Sequence, residues 1–233
     1  MTYRKGYGES GPLDAELARR FETVVETIDL SEQGADARFD ILRPQSAEAL
    51  IDEDAFAEDE RLPYWADVWP SARVLASRLL REEGAGRRLL ELGCGSGLVA
   101  AAAAHAGFDV TATDYYPEAL DFTRANVRRA AGVECATRIV DWRSMPDDLG
   151  HFDVVVASDV LYERPYAELV ARALSQTLSR GGLGMISDPG RLAAPDFIDE
   201  ARALGLEVGE PETQHVEGYG AGQTIRLYRL RRR

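Results

Sequence analysis

ELGCGSGLVA, residues 91–100, sets three glycines between a short apolar run and a stretch of alanines. RLLEL (88–92) reads as a strand, the glycines as a tight turn and the alanine-rich run as a helix. The same alternation continues downstream. DVTAT (109–113) predicts a second strand, and Pro117 opens a helix through Ala130, because proline suits a first helical turn. TRIV (137–140) and FDVVVAS (152–158) predict the third and fourth strands. A helix from about Tyr166 to Ser179, closed by Gly181 and Gly182, leads to LGMIS (183–187) as the fifth. A shorter helix near 196–204 precedes LEVGE (206–210), and QTIRLYRL (223–230) predicts an antiparallel last strand.

Strands alternating with helices give an α/β domain. The expected architecture is Rossmann-like: a seven-stranded, mostly parallel sheet with an antiparallel last strand and helices on both faces. It is expected over residues 63–233, with residues 1–62 as an N-terminal extension packed on the same domain. In that extension residues 14–21 look helical, and FETVVETIDL with RFDILRP predicts a hairpin. DEDAFAEDER (52–61) reads as a solvated acidic face in preference to a mobile lid. PYWADVWPSARVLASRLL (63–80) predicts an aromatic-rich loop and an amphipathic helix, and the basic end of IRLYRLRRR is expected to fray.

Composition narrows the function. A chain of 233 residues with 45% apolar content suits one α/β domain, and a formal net charge of −13 argues against a general affinity for phosphate backbones. Two cysteines, Cys94 and Cys135, are too few for a disulfide framework, and MTYRKGYGES has no apolar signal core. The longest apolar run, Leu98 to Ala104, is too short to span a bilayer. A soluble cytoplasmic protein is therefore expected, away from membranes. His105, His151 and His215 are scattered without metal-ligand spacing, so no metal is expected.

The turn itself discriminates among nucleotides. Gly93, Gly95 and Gly97 give G-x-G-x-G, with Leu98 where a dinucleotide fingerprint has its third glycine, and no Walker lysine follows. Glu91 stands before the turn, where a carboxylate would repel a pyrophosphate and favour an ammonium or sulfonium group. S-adenosylmethionine carries both cations and no phosphate. Asp114 ends the second strand, where an acid accepts ribose hydroxyls, a feature NAD would share. Asp141 and Trp142 end the third, placing an acceptor for an adenine amino group beside a ring that covers its face.

On these residues the stretch 63–230 resembles a class I, seven-strand S-adenosylmethionine-dependent methyltransferase. ELGCGSG matches that family's first motif, with Cys94 inside it, and Thr113–Asp114 match its ribose acid, with Tyr115 next in line. Trp69–Pro70, LELGCGSGLVA, Asp141–Trp142 and SDVLYE (158–163) resemble the branch that methylates lysines of chaperones, elongation factors and the electron-transfer flavoprotein.

The resemblance implies roles residue by residue. Trp69, Glu91, Gly93, Cys94, Gly95, Gly97, Asp114, Tyr115, Asp141, Trp142 and Ser158 would bind S-adenosylmethionine and its product S-adenosylhomocysteine. Asp159 and Tyr162 fall on the family's D-x-x-Y motif, Asp159 to bind and orient a target lysine and Tyr162 to shape its channel. Helix capping by Asp159 is the competing role for that residue. SDVLY lacks the two prolines of the Asn/Asp-Pro-Pro-Tyr/Phe loop of nucleic-acid adenine methyltransferases, which argues against a nucleic-acid partner. SDPGR (187–191) resembles a loop of the flavoprotein-modifying members, and the preferred reading of its Asp-Pro-Gly is an ordinary turn. A protein lysine is the expected methyl acceptor; a small-molecule N- or O-acceptor, or a noncatalytic cofactor-binding module, are the alternatives. The sequence leaves the oligomeric state open.

Overall fold

The structure is a computed structural model and describes residues 11–50, 62–217 and 222–233. The acidic stretch 52–61 and the segment MTYRKGYGES lie outside the described residues.

The chain opens with α1 (Pro12–Arg20) and an antiparallel hairpin of β1 (Thr23–Asp29) and β2 (Arg38–Pro44). A one-turn 3-10 helix at Tyr64–Ala66 leads into α2 (Pro70–Leu79). The alternating unit follows: β3 (Arg88–Leu92), α3 (Leu98–His105), β4 (Asp109–Asp114), α4 (Pro117–Ala131) and β5 (Ala136–Ile139). Then come β6 (Phe152–Ser158), α5 (Arg164–Thr177), β7 (Leu178–Asp188) and α6 (Ala194–Ala203). Three antiparallel strands end the fold: β8 (Leu206–Val208), β9 (Glu212–Val216) and β10 (Gln223–Arg232).

The main sheet runs β5-β4-β3-β6-β7-β10-β8, with β9 also pairing β10. Strands β3 to β7 are parallel, and β10 runs antiparallel to β7. The expected α/β architecture is therefore present, with eight strands in place of seven. The extra strand is β9: its residues ETQHV are polar and mostly exposed, so no apolar alternation announces it. Two other expectations need correction. Helix α5 ends at Thr177 and passes straight into β7 at Leu178, ahead of the Gly181–Gly182 pair that was expected to close it. The C-terminal arginines do not fray: Arg231 lies in β10 opposite Leu183, and Arg232 Nη1 donates to the Leu178 carbonyl at 2.6 Å.

Strand alternation sorts the core into two layers. Leu89, Val154, Val156 and Met185 face α2, α3 and α4, while Leu90, Leu92, Val155, Ala157 and Ile186 face α5 and α6. Helix α3 is apolar on every side and buried from Leu98 to Ala104, and its alanines let the hairpin come close on its outer side. Asn126 of α4 ties that hairpin down. Its Oδ1 accepts from Leu42 N–H at 2.8 Å, and its Nδ2 donates to the carbonyls of Leu42 and Ser96, both at 2.7 Å.

In this sheet the strand order reverses between β3 and β6, so the carboxyl ends of those two strands leave a crevice. That is where the glycine turn sits.

Candidate active site

The crevice opens into a cavity of about 730 Å³ walled by the glycine turn, the loop before α2 and the segments following β4, β5, β6 and β7. The glycine turn is held from below. Gly93 and Cys94 donate their N–H groups to the Thr113 carbonyl, both at 2.9 Å, and the Thr123 hydroxyl of α4 donates to the Gly95 carbonyl at 3.1 Å. Gly97 takes φ 86°, and a Cβ there would stand 2.6 Å from Thr123 Cα, so glycine is what lets α4 approach the turn. Gly93 serves the other side: a Cβ would meet Val160 at 3.2 Å and the Trp142 ring at 3.4 Å.

Asp114 faces the cavity and also braces it. Its Oδ2 accepts from Gly95 N–H at 2.9 Å and its Oδ1 from Tyr116 N–H at 3.0 Å. Burial raises the carboxyl above its ordinary value, and these backbone donors oppose the rise. Asp141 caps the 3-10 turn Trp142–Ser144 by accepting from Arg143 N–H at 2.9 Å, and its carboxylate also grips the Arg143 guanidinium.

Aromatic rings form the outer wall. Trp69 sits edge-on to Tyr64 (6.1 Å between centroids), Tyr64 to Tyr162 (5.6 Å), Tyr162 to Tyr166 (4.9 Å) and Tyr166 to Trp142 (5.6 Å). Trp69 Nε1 donates to the Tyr64 carbonyl at 2.9 Å, which locks the loop before α2. Enclosure in this wall, with Tyr166 alongside, pushes the Tyr162 hydroxyl above the ordinary phenol range, leaving it neutral at working pH.

Of the residues singled out in the sequence, Trp69, Gly93, Cys94, Gly95, Asp114, Tyr115, Asp141, Trp142, Ser158, Asp159 and Tyr162 all line this one cavity. Gly97 stands behind it, against α4. Glu91 is the departure. It is 1% exposed and lies outside the cavity wall, where the Ala100 N–H in the first turn of α3 is directed at its carboxyl. Burial, with Asp114 nearby, pushes its carboxyl well above the usual range and favours the protonated form. The expectation of a charged Glu91 facing a bound cation is corrected accordingly. The cause is strand alternation: Glu91 shares a face with Leu89, under α3.

Asp159 also differs from expectation in its surroundings. It caps no helix, since α5 starts at Arg164 with Glu163 in the cap position. Its Oδ1 receives both Nε (2.9 Å) and Nη2 (2.8 Å) of Arg191, so the carboxylate expected to bind a lysine is already ion-paired. Arg191 was missed because SDPGR reads as a turn. It is indeed a turn, with Asp188 Oδ1 accepting from Gly190 N–H (2.7 Å) and Arg191 N–H (2.8 Å), and it delivers the guanidinium to the cavity. The available signals were the resemblance of SDPGR to a loop of the flavoprotein-modifying members and its position after β7, the parallel neighbour of the strand that carries Asp159.

Among the described residues, no cluster of three or more His, Cys, Asp or Glu could hold a metal, and no helix is long and apolar enough to cross a membrane.

Residues 64–226 match the family described as methyltransferase domain. The chain is 34% identical over 165 residues to the electron transfer flavoprotein beta subunit lysine methyltransferase of Danio rerio, covering 68% of this chain and 62% of that one. It is 32% identical over 103 residues to the ubiquinone biosynthesis O-methyltransferase of Bordetella avium, covering 42% and 40%. The fold is shared with the N-methyltransferase NodS of Bradyrhizobium japonicum, solved in complex with S-adenosyl-L-homocysteine. There the TM-score is 0.58 and the identity 21%, over 81% of this chain and 97% of that one. The chain spans from 48% to 62% of the length of the curated protein-lysine methyltransferases it matches.

Proposed function

The chain belongs to the methyltransferase-domain family, and from that premise we propose that it transfers the methyl group of S-adenosylmethionine to a lysine side chain of a protein. The observation that carries this reading is one cavity at the switch point of the sheet. It brings together a glycine turn, a buried acid at the end of β4, and Asp159 with Tyr162 beyond β6.

The residues present fit that cofactor. Asp114 would accept from the ribose hydroxyls, since its carboxylate keeps acceptor capacity beyond the backbone N–H groups of Tyr116, Gly95 and Tyr115. Asp141 and Trp142 would hold the adenine, and Trp69, Ser158 and the turn Gly93–Cys94–Gly95 the remainder. Trp142 lies against Gly93, across the path a pyrophosphate would take over the turn. When bound, S-adenosylmethionine supplies a methyl group already activated by its sulfonium, so the protein needs neither a nucleophile nor a covalent intermediate.

Positioning is then the main work of the chain. The rings of Tyr64, Tyr162 and Tyr166 would flank the apolar stem of a lysine. Asp159 would accept a hydrogen bond from its nitrogen through Oδ2, the oxygen that Arg191 does not hold. The lysine loses its ammonium proton to water before attack, because even a carboxylate raised by burial is a far weaker base than the amine.

A small-molecule acceptor is the second reading. It is supported by the similarity to the Bordetella O-methyltransferase and by the Arg191 guanidinium, which offsets the charge on Asp159. Transfer of a radiolabelled methyl group from S-adenosylmethionine into a native lysate, separated into protein and small-molecule fractions, tests the two. Label in methyl-lysine supports the first reading, and label confined to small molecules supports the second.

A further inference from the structure

Asp159 is the one non-glycine residue among the described residues with a backbone in the left-handed region, at φ 55°. Three contacts hold it there. Its N–H donates to the Ser187 carbonyl at 2.9 Å, the Ser187 hydroxyl donates to the Ser71 carbonyl of α2 at 2.9 Å, and Arg191 places two nitrogens on Oδ1. The side chain of Asp159 is 4% exposed and that of Arg191 37%, so the guanidinium reaches in from the cavity side onto an enclosed carboxylate. Oδ2 is buried on a residue of the cavity wall, where the Ser71 hydroxyl of α2 also reaches the carboxyl. A carboxylate oxygen has room for more than one donor, so Oδ2 can take another beside Ser71.

We propose that Arg191 is a positioning residue for the transfer step. By holding Oδ1 it keeps the Asp159 carboxylate ionised and turned so that Oδ2 is the acceptor for an N–H group of the methyl-accepting amine. The identity of that amine rests on the lysine reading above; the hold of Arg191 on Asp159 does not. The turn Asp188–Arg191 exists to deliver it, since Asp188 fixes the backbone N–H groups of Gly190 and Arg191 through one oxygen.

The electrostatics agree with the geometry. Burial raises the Asp159 carboxyl, and Arg191 is the largest influence opposing that rise. The charged groups facing it are Arg191, from the turn after β7, and the buried Asp188 at the end of β7, and the Ser71 hydroxyl reaches it from α2. Asp188 is like-charged, so with Arg191 removed nothing cationic among these would keep Asp159 ionised.

The test is a direct titration that needs neither cofactor nor acceptor. In the full chain labelled with carboxyl-¹³C aspartate, the Asp159 resonance is identified by its loss in Asp159→Asn and followed against pH. Arg191→Gln and Arg191→Ala should raise its midpoint by one pH unit or more relative to wild type, with circular dichroism showing the fold retained. Arg191→Lys should fall between. Equal midpoints in wild type and either folded neutral variant overturn the proposal. With an acceptor in hand, the acid limb of kcat/KM against pH should move upward by the same amount while cofactor affinity stays within threefold; an unmoved limb also overturns it. A lysate whose proteins stay unlabelled would remove the lysine reading and leave this titration standing.

Discussion

Asn126 and Leu42 exchange two hydrogen bonds, of 2.8 and 2.7 Å, between the middle of α4 and the second strand of the hairpin. The same amide reaches the Ser96 carbonyl in the glycine turn at 2.7 Å, so one fully buried side chain links the N-terminal hairpin to the cavity floor. Asn126→Ala would leave three backbone groups without partners in the interior. The expected loss is about 3 kcal/mol, on the order of 10 °C in the melting temperature of a chain this size. A calorimetric melt measures it, and a change within 2 °C would mean that the three bonds do not carry the hairpin.

Asp114 serves the turn and the cavity at once. Asp114→Ala removes both the partner of Gly95 N–H and the proposed ribose acceptor. Cofactor affinity should fall by about 2 kcal/mol, roughly 30-fold, the range of charge-assisted hydrogen bonds. Calorimetric titration reads this directly, and an unchanged dissociation constant would place Asp114 outside the binding site.

The acceptor side is tested by Asp159→Asn, nearly isosteric but uncharged. Cofactor affinity should stay within a few-fold while methyl transfer to protein falls at least about 10-fold, or about 1.4 kcal/mol. Full activity on a protein substrate would remove Asp159 from the acceptor site.

Acid stability should show the hairpin's own clamp. Asp29 accepts from the Ser31 hydroxyl, from Ser31 N–H at 2.9 Å and from Arg38 Nε at 2.6 Å, and these contacts, in that order, lower its carboxyl from 3.8 to about 2. A lowered folded-state value means stabilisation that is full above the unfolded value and fades as pH falls toward the folded one. Wild type should therefore melt above Asp29→Asn near neutral pH, the gap closing between about pH 4 and pH 2. A gap independent of pH would show that the charge of Asp29 plays no part.

The legible parts of this protein are those where one local rule dominates. Three glycines after RLLEL announced a strand, turn and helix, and the short β-branched run of FDVVVAS read as a strand. β9 escaped because ETQHV pairs through its backbone while its side chains stay polar. Glu91 was visible as a carboxylate beside the turn, but which face it took depends on strand alternation: it lies with Leu89 beneath α3. Arg191 was invisible for a different reason. Asp-Pro-Gly specifies a turn by itself, and only the pairing of β6 with β7 reveals that the residue after it arrives beside Asp159.

The central claim is that the cavity at the end of β3 and β6 takes S-adenosylmethionine and not a dinucleotide, because Trp142 closes over Gly93 and the G-x-G-x-G turn, with Leu98 in the third place, departs from the dinucleotide fingerprint. Isothermal titration of the full chain with S-adenosylmethionine, S-adenosylhomocysteine and NAD measures this directly. The account predicts dissociation constants on the order of micromolar for the first two, about −8 kcal/mol, and no comparable heat with NAD. Tighter binding of NAD than of S-adenosylmethionine would contradict it.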